Sequence, residues 1–221
     1  MRVLLVDPPG VQEGLNVGLG YLSSSLRAAG YDVVVLDLNN SRMPDGEWLK
    51  KIARYKPHVV GVSIKSSTYF ESENIAGRIK EKFGDVFLVG GGPHVSLTGR
   101  DFLSEDHFFD YCVLGEGEES LPRLCDALEG SERISLEGVV SRDDSKADDR
   151  PLFVSDLDLI SPPEYGSFTN IGETLSKVRY PIVTSRGCPY ECIYCSVCYI
   201  SGRKWRVRSL TNVLEIGRAH V

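Results

Sequence analysis

HVVGVSIKSST, His58–Thr68, is an unbroken apolar run closed by small hydroxyl residues. Seven residues are short for a helix, and β-branched valine dominates, so the run reads as a strand. It does not alternate apolar with polar. Such strands are buried on both faces, as in parallel sheets covered by helices. The pattern recurs in RVLLV (Arg2–Val6), DVVVLDL (Asp32–Leu38), VFLVG (Val86–Gly90) and YCVLG (Tyr111–Gly115). Helical faces fall between them: Leu19, Leu22 and Leu26; Trp48, Leu49 and Ile52; Ile75, Ile79 and Phe83; Leu121, Leu124 and Leu128. Gly30, Gly84 and Gly130 supply stops. The alternation predicts a doubly wound α/β domain with a five-stranded parallel sheet over residues 1–130.

Folds of this class bind ligands at the carboxyl ends of their strands. The loops there read DPPG (Asp7–Gly10), KSST (Lys65–Thr68), GGGPH (Gly90–His94) and GEGEE (Gly115–Glu119). GLGYLS (Gly18–Ser23) half-matches a dinucleotide fingerprint, but its glycines stand some ten residues beyond the first strand and Ser23 replaces the third. That displacement separates the turn from the helix N-terminus that would meet a pyrophosphate.

The chain has 221 residues, 42% hydrophobic and 25% charged, enough for one or two cored domains. A formal net charge of -6 leaves no basic footprint, so nucleic acid is not an expected partner. No apolar run of about 18 residues exists, so no transmembrane segment is predicted. MRVLLVDPPG is broken too early by Asp7 and two prolines to be a signal peptide. A cytoplasmic location is expected, where thiols stay reduced.

Residues 131–180 break the rhythm and read as a linker. Its segments GVVS and LFV flank the polar RDDSKADDR (Arg142–Arg150), predicting a small hairpin, and SPPEYG (Ser161–Gly166) follows. PIVTS (Pro181–Ser185) then opens a further strand and a second unit over 181–214. One permissible coding of the last seven residues, Glu215–Val221, matches the start of a common short-read sequencing adapter. The expectation is that this tail is an artefact and that the chain is a truncated fragment.

Four of six cysteines crowd into GCPYECIYCSVC, Gly187–Cys198; Cys112 and Cys125 lie in apolar settings and read as inert. A structural zinc site needs a second cysteine or histidine pair a dozen or more residues away, and only His220 follows the group. A ferredoxin run is C-x2-C-x2-C-x3-C-P, whereas proline here follows the first cysteine. SRGCPYECIYC (Ser185–Cys195), with C-x3-C-x2-C and Tyr194 before the last cysteine, resembles the radical S-adenosylmethionine superfamily. The resemblance implies that Cys188, Cys192 and Cys195 hold three irons of a 4Fe-4S cluster, with no catalytic side chain beyond these ligands. The fourth iron would bind S-adenosylmethionine, with Tyr194 beside the adenine. Three ligands leave that iron open, as a catalytic zinc keeps an open position. Cys198 stands outside the motif.

The first 130 residues resemble the cobalamin-binding domain that precedes many radical S-adenosylmethionine domains. VDPPG, GLGYLSSSLRAAGYDV, VGVSIKSST, VGGGPHVS and VLGEGEE carry this likeness. It implies cobalamin contacts at Asp7, Pro8, Ser63, Ser66, Ser67, Thr68, Gly90, Gly91, Gly92, His94, Gly115, Glu116 and Gly117. A flat, amide-edged corrin needs close backbone approach, which glycines allow. The D-x-H-x-x-G motif that supplies a cobalt ligand elsewhere is absent, so the lower ligand of cobalt stays open. His94 alone among the histidines lies in a ligand-facing loop; His58 and His107 read as structural. Glu116 and Glu118 are expected to favour a helix N-terminus. The resemblance implies methyl transfer or related radical chemistry on a small-molecule or lipid-like substrate, fed by flavodoxin or ferredoxin. A stand-alone cobalamin carrier and an iron–sulfur redox protein remain the alternatives.

Overall fold

In the computed structural model, the described residues are 1–41, 43–44, 46–105, 108–130, 134–142, 149–175 and 179–219. His107, His220 and most of the polar turn in RDDSKADDR lie outside them.

The expected five strands form: β1 (Arg2–Asp7), β2 (Asp32–Asp37), β3 (Val59–Ser63), β4 (Phe87–Gly91) and β5 (Tyr111–Val113). They pair in parallel in the order β2-β1-β3-β4-β5. The helices α1 (Val17–Ala28), α2 (Glu47–Tyr55), α3 (Tyr69–Lys82) and α6 (Gly117–Gly130) match the predicted faces. Two short helices, α4 (Pro93–Thr98) and α5 (Arg100–Glu105), divide what reads locally as one connection.

Alternate residues of β1 enter two separate cores. Val3 and Leu5 join Leu19 and Leu26 of α1 and Leu121 and Leu124 of α6. Leu4 and Val6 join Trp48, Leu49 and Ile52 of α2 and Ile75 and Ile79 of α3. Both faces of the sheet are therefore covered, as the continuous valine-rich runs require. No helix among the described residues is long and apolar enough to cross a membrane.

The predicted hairpin of GVVS with LFV does not form. Val139–Ser141, β6, instead pairs antiparallel with β5 and becomes a sixth strand of the sheet. Leu152 makes only an isolated bridge to Gly115. An exposed edge at β5 would leave unpaired backbone groups, and β6 satisfies them. Nor is PIVTS a full strand. Only Ser185–Arg186, β7, is extended, and it pairs antiparallel with Arg206–Val207, β8. The short α7 (Ile171–Leu175) precedes this pair, α8 (Val197–Ile200) lies between its strands, and α9 (Leu210–Ala219) follows.

The segment read as a linker packs on the sheet. The Val35 N–H donates to the Ser167 carbonyl at 2.9 Å, and the Thr169 N–H donates to the Val35 carbonyl at 2.8 Å. Tyr165 and Phe168 are buried in the α1 core. A Cβ at Gly20 would stand 2.7 Å from the Tyr165 ring, so this close approach selects glycine in the middle of α1. Phe168→Ala is expected to cost about 3–5 kcal/mol, as burying a large ring does. A lowered denaturant midpoint with unchanged slope is the readout; a cost under about 0.5 kcal/mol would mean the segment is a dispensable linker.

Candidate functional site

β1 and β3 are neighbours in the sheet, yet α1 and α3, which follow them, pack on opposite faces. The backbone diverges between them, and a cleft opens at this switch point. It measures about 510 Å³. Its floor is Leu5, Gly61, Val89 and Val113; Tyr21 and Leu22 of α1 and Leu121 of α6 flank it. Ser63, Gly90, Gly91, Gly92, Gly115, Glu116 and Gly117 form the rim at the strand ends. Val183, Ser185 and Arg186, which lead into the cysteine loop, and Gly187, Val197, Ile200 and Ser201 of the loop itself close the far wall.

Gly92 has φ of 99°, and a Cβ there would meet the Ile64 carbonyl oxygen at 2.9 Å. Only glycine lets β4 turn into α4 against that backbone. Gly61 leaves the floor open, because a Cβ would press to 3.0 Å on the Leu5 side chain.

Asp7 ends β1 and is buried. Its Oδ1 accepts from Asn16 Nδ2 at 2.8 Å, and the same Nδ2 donates to Ser63 Oγ at 3.2 Å. Asn16 Oδ1 caps α1 by accepting from the Leu19 N–H at 3.2 Å. Asp7 therefore reaches the cleft through Asn16 and Ser63. Its Oδ2 has no hydrogen-bond partner. Burial raises its pKa to about 6, against the lowering effects of Asn16 and Lys65.

The structure separates the other expected cobalamin contacts. Ser66 and Ser67 are exposed, Thr68 is buried in a 3-10 turn, and Pro8 is buried behind β1; none lines the cleft. His94 stands outside it as well. Its Nδ1 is 3.0 Å from Ser66 Oγ, its ring is 4.8 Å from that of Tyr69, and burial lowers its pKa. His58 is structural, its Nδ1 accepting from the Arg2 N–H at 3.0 Å.

Glu116 and Glu118 stand at the N-terminus of α6, as expected, and do more there than face the helix dipole. Both are buried, and neither is merely a solvated helix-end charge. Glu116 forms two bonds with Arg206, at 2.7 and 2.8 Å, and accepts from the Val154 N–H at 2.7 Å. Glu118 accepts from Arg186 at 2.6 Å. The Arg186 and Arg208 guanidiniums lie 5.1 and 5.2 Å from the centre of the buried Tyr21 ring, a cation–π arrangement. Burial opposes the charge of Arg186, but Glu118 more than offsets it, and the pKa is raised. None of these arginines was singled out by sequence reasoning. The alternation in RVR (Arg206–Arg208) and the arginine beside the cysteine motif were the available signals.

Cys188, Cys192 and Cys195 are free thiols, Cys192 exposed and the other two half-buried. The Cys195 N–H donates to the Cys192 carbonyl at 3.0 Å, and the Cys188 N–H to the Gly202 carbonyl at 3.0 Å. Tyr194 is 89% exposed and outside the cleft. Among the described residues no three histidine, cysteine or acidic side chains are gathered closely enough to hold a metal ion. The donor set fits an iron–sulfur cluster by its chemistry, three reduced and accessible thiols on one loop. Cys112 and Cys125 are fully buried, and burial pushes the Cys125 thiol up to about 12.

The raised pKa of Asp7 has a definite consequence for stability. Between the ordinary carboxylate value and about 6, the folded state holds a proton that the unfolded state has lost. Stability from this group is complete below about pH 4, falls as pH rises, and is gone above about pH 6. Asp7→Asn should remove that slope, gaining about 2 kcal/mol on the wild type at pH 7.5 relative to pH 4. Denaturant midpoints of both proteins across this range provide the check. Parallel profiles would show that Asp7 titrates normally.

The B12 binding domain family model matches residues 10–125. An uncharacterized methyltransferase of Pyrococcus horikoshii is 31% identical over 97% of this chain and 49% of its own length. The hopanoid C-3 methylase of Methylococcus capsulatus is 31% identical over 90% of this chain and 39% of its own length. The chain thus spans less than half the length of these curated relatives. The radical S-adenosylmethionine methyltransferase TsrM of Kitasatospora setae, solved with cobalamin and a [4Fe-4S] cluster bound, superposes with a TM-score of 0.81 at 24% identity. That match covers 99% of this chain and 46% of TsrM. The fold and these matches agree: the chain belongs to the B12 binding domain family.

Proposed function

We propose that the chain is the cofactor-binding part of a cobalamin-dependent radical S-adenosylmethionine methyltransferase. The observation that carries this reading is the shared wall. The cleft at the carboxyl ends of the strands is closed by the leading stem of the three-cysteine loop and by α8 within that loop. Cobalamin would lie on the rim of Ser63, Gly90, Gly91, Gly92, Gly115 and Gly117, where small residues let a flat ring approach the backbone. Its nucleotide tail fits the apolar floor of Leu5, Gly61 and Val89 between α1 and α6. Asp7, through Asn16, holds the Ser63 hydroxyl in place at that rim. Ser66, Ser67, Thr68 and His94 stand beyond the rim and would meet at most the outer edge of the ligand.

Cys188, Cys192 and Cys195 would supply thiolates to a 4Fe-4S cluster, with Tyr194 covering bound S-adenosylmethionine. When bound, these groups supply one-electron reduction and a transferable methyl group; the protein positions them and excludes water. The exposed Cys192 and Tyr194 allow cluster assembly and cofactor entry from solvent. An electron donor of the flavodoxin or ferredoxin type would deliver the electron. The hopanoid relative suggests a small-molecule or lipid-like substrate. The units proposed are a cobalamin-binding domain over residues 1–130, its packed extension to 180, and the opening of the radical domain from 181.

Anaerobic reconstitution with iron, sulfide and cobalamin tests the reading. The wild-type chain should take up both cobalamin and iron, and S-adenosylmethionine should alter the cluster's electron paramagnetic resonance spectrum. Cys192→Ala should lose the iron and keep cobalamin. Iron retained in that variant sinks the cluster assignment. Cobalamin without a cluster in the wild type favours a carrier, and a cluster without cobalamin favours a redox protein.

A further inference from the structure

The cysteine loop runs from Gly187 to Trp205, and its base is the two-residue pairing of β7 with β8. A ladder of that length is marginal by itself. The loop gains little from packing at its tip, where Ile193 and Tyr194 are almost fully exposed. α8 packs against α4, and the base of the loop is fixed by charge. Arg186 and Arg206 are partners in the ladder and flank the loop directly. Glu118 holds the first at 2.6 Å, and Glu116 holds the second through a two-bond fork. Arg186 also lies 3.5 Å from Glu116, which joins the two pairs into one buried network. Glu116, Glu118 and Arg186 all face the cleft.

We infer that Glu116 and Glu118 are positioning residues that couple occupancy of the cleft to ordering of the cysteine loop. This rests on the reading that cobalamin occupies the cleft. Water in an open cleft competes for the carboxylates and guanidiniums. A ligand there displaces that water, and the same ion pairs strengthen in the lower dielectric. The ladder tightens, and the loop between its ends loses freedom. By linkage the effect is reciprocal, so an ordered loop would hold cobalamin more tightly.

Hydrogen exchange of the cluster-free chain, with and without methylcobalamin in the dark, tests this. In the wild type, exchange should slow at the cleft amides, Gly61–Ser63 and Gly90–Gly92, and also by on the order of tenfold at residues 188–196 of the loop, none of which lines the cleft. In Glu118→Gln the cleft amides should still be protected, while loop protection is lost. Absence of cleft protection in the wild type overturns the cobalamin reading itself. Cleft protection with an unaffected loop overturns the coupling, as does equal loop protection in the variant, which would mean direct cover by the ligand. Should Glu118→Gln fail to fold, Glu118→Asp takes its place. It keeps the charge but lengthens the bond to Arg186, and it should give loop protection weaker than the wild type. Protection equal to the wild type overturns the coupling.

Discussion

Two adjacent parallel strands whose helices leave on opposite faces cannot cover their own ends. β1 sends α1 to one side and β3 sends α3 to the other, so the backbone between them stays open. Every other feature of the site answers to that gap. Gly61 keeps its floor empty, and Gly92 lets β4 turn beside it without a Cβ. Asn16 starts α1 at its edge and ties that helix to both β1 and β3. The chain beyond residue 180 returns to it and builds the far wall.

That return is made with buried charge as well as apolar surface. Burying ion pairs is a poor route to stability, because desolvation offsets much of the Coulomb gain. It is a good route to a defined geometry, since a forked guanidinium–carboxylate pair has few alternatives. Glu116 is further fixed by the Val154 N–H, so the fork to Arg206 has a rigid origin. A greasy contact at the same place would let the loop slide; the network at Glu116, Glu118, Arg186 and Arg206 sets its register.

The parallel strands were legible because each is a continuous run of valine and leucine, and the helices because their apolar residues recur on one face. The crowding of four cysteines marked out the loop, and its reading as a cluster site came from a family resemblance. β6 was not legible, since Val139–Ser141 looks like half of a local hairpin and pairs instead with Tyr111–Val113, 28 residues earlier. Nor was the Glu–Arg network. Glu116 and Arg206 are 90 residues apart, and nothing in GEGEE or RVR reveals that they meet. Polar residues at strand ends read as solvated until tertiary structure buries them. Ser66, Ser67 and His94 were read as contacts because their loops are rich in small polar residues, and the structure places them outside the cleft's lining, Ser66 and Ser67 on a 3-10 turn.

Cobalamin is proposed to sit in one cleft, against the wall built by the cysteine loop. The most direct measurement is the position of cobalt, by anomalous diffraction, in crystals of the cobalamin-loaded chain. The account expects a single peak over the rim between Ser63, Gly91 and Gly117, on the side facing Arg186. A peak outside the cleft, or on the surface near His94, would contradict it.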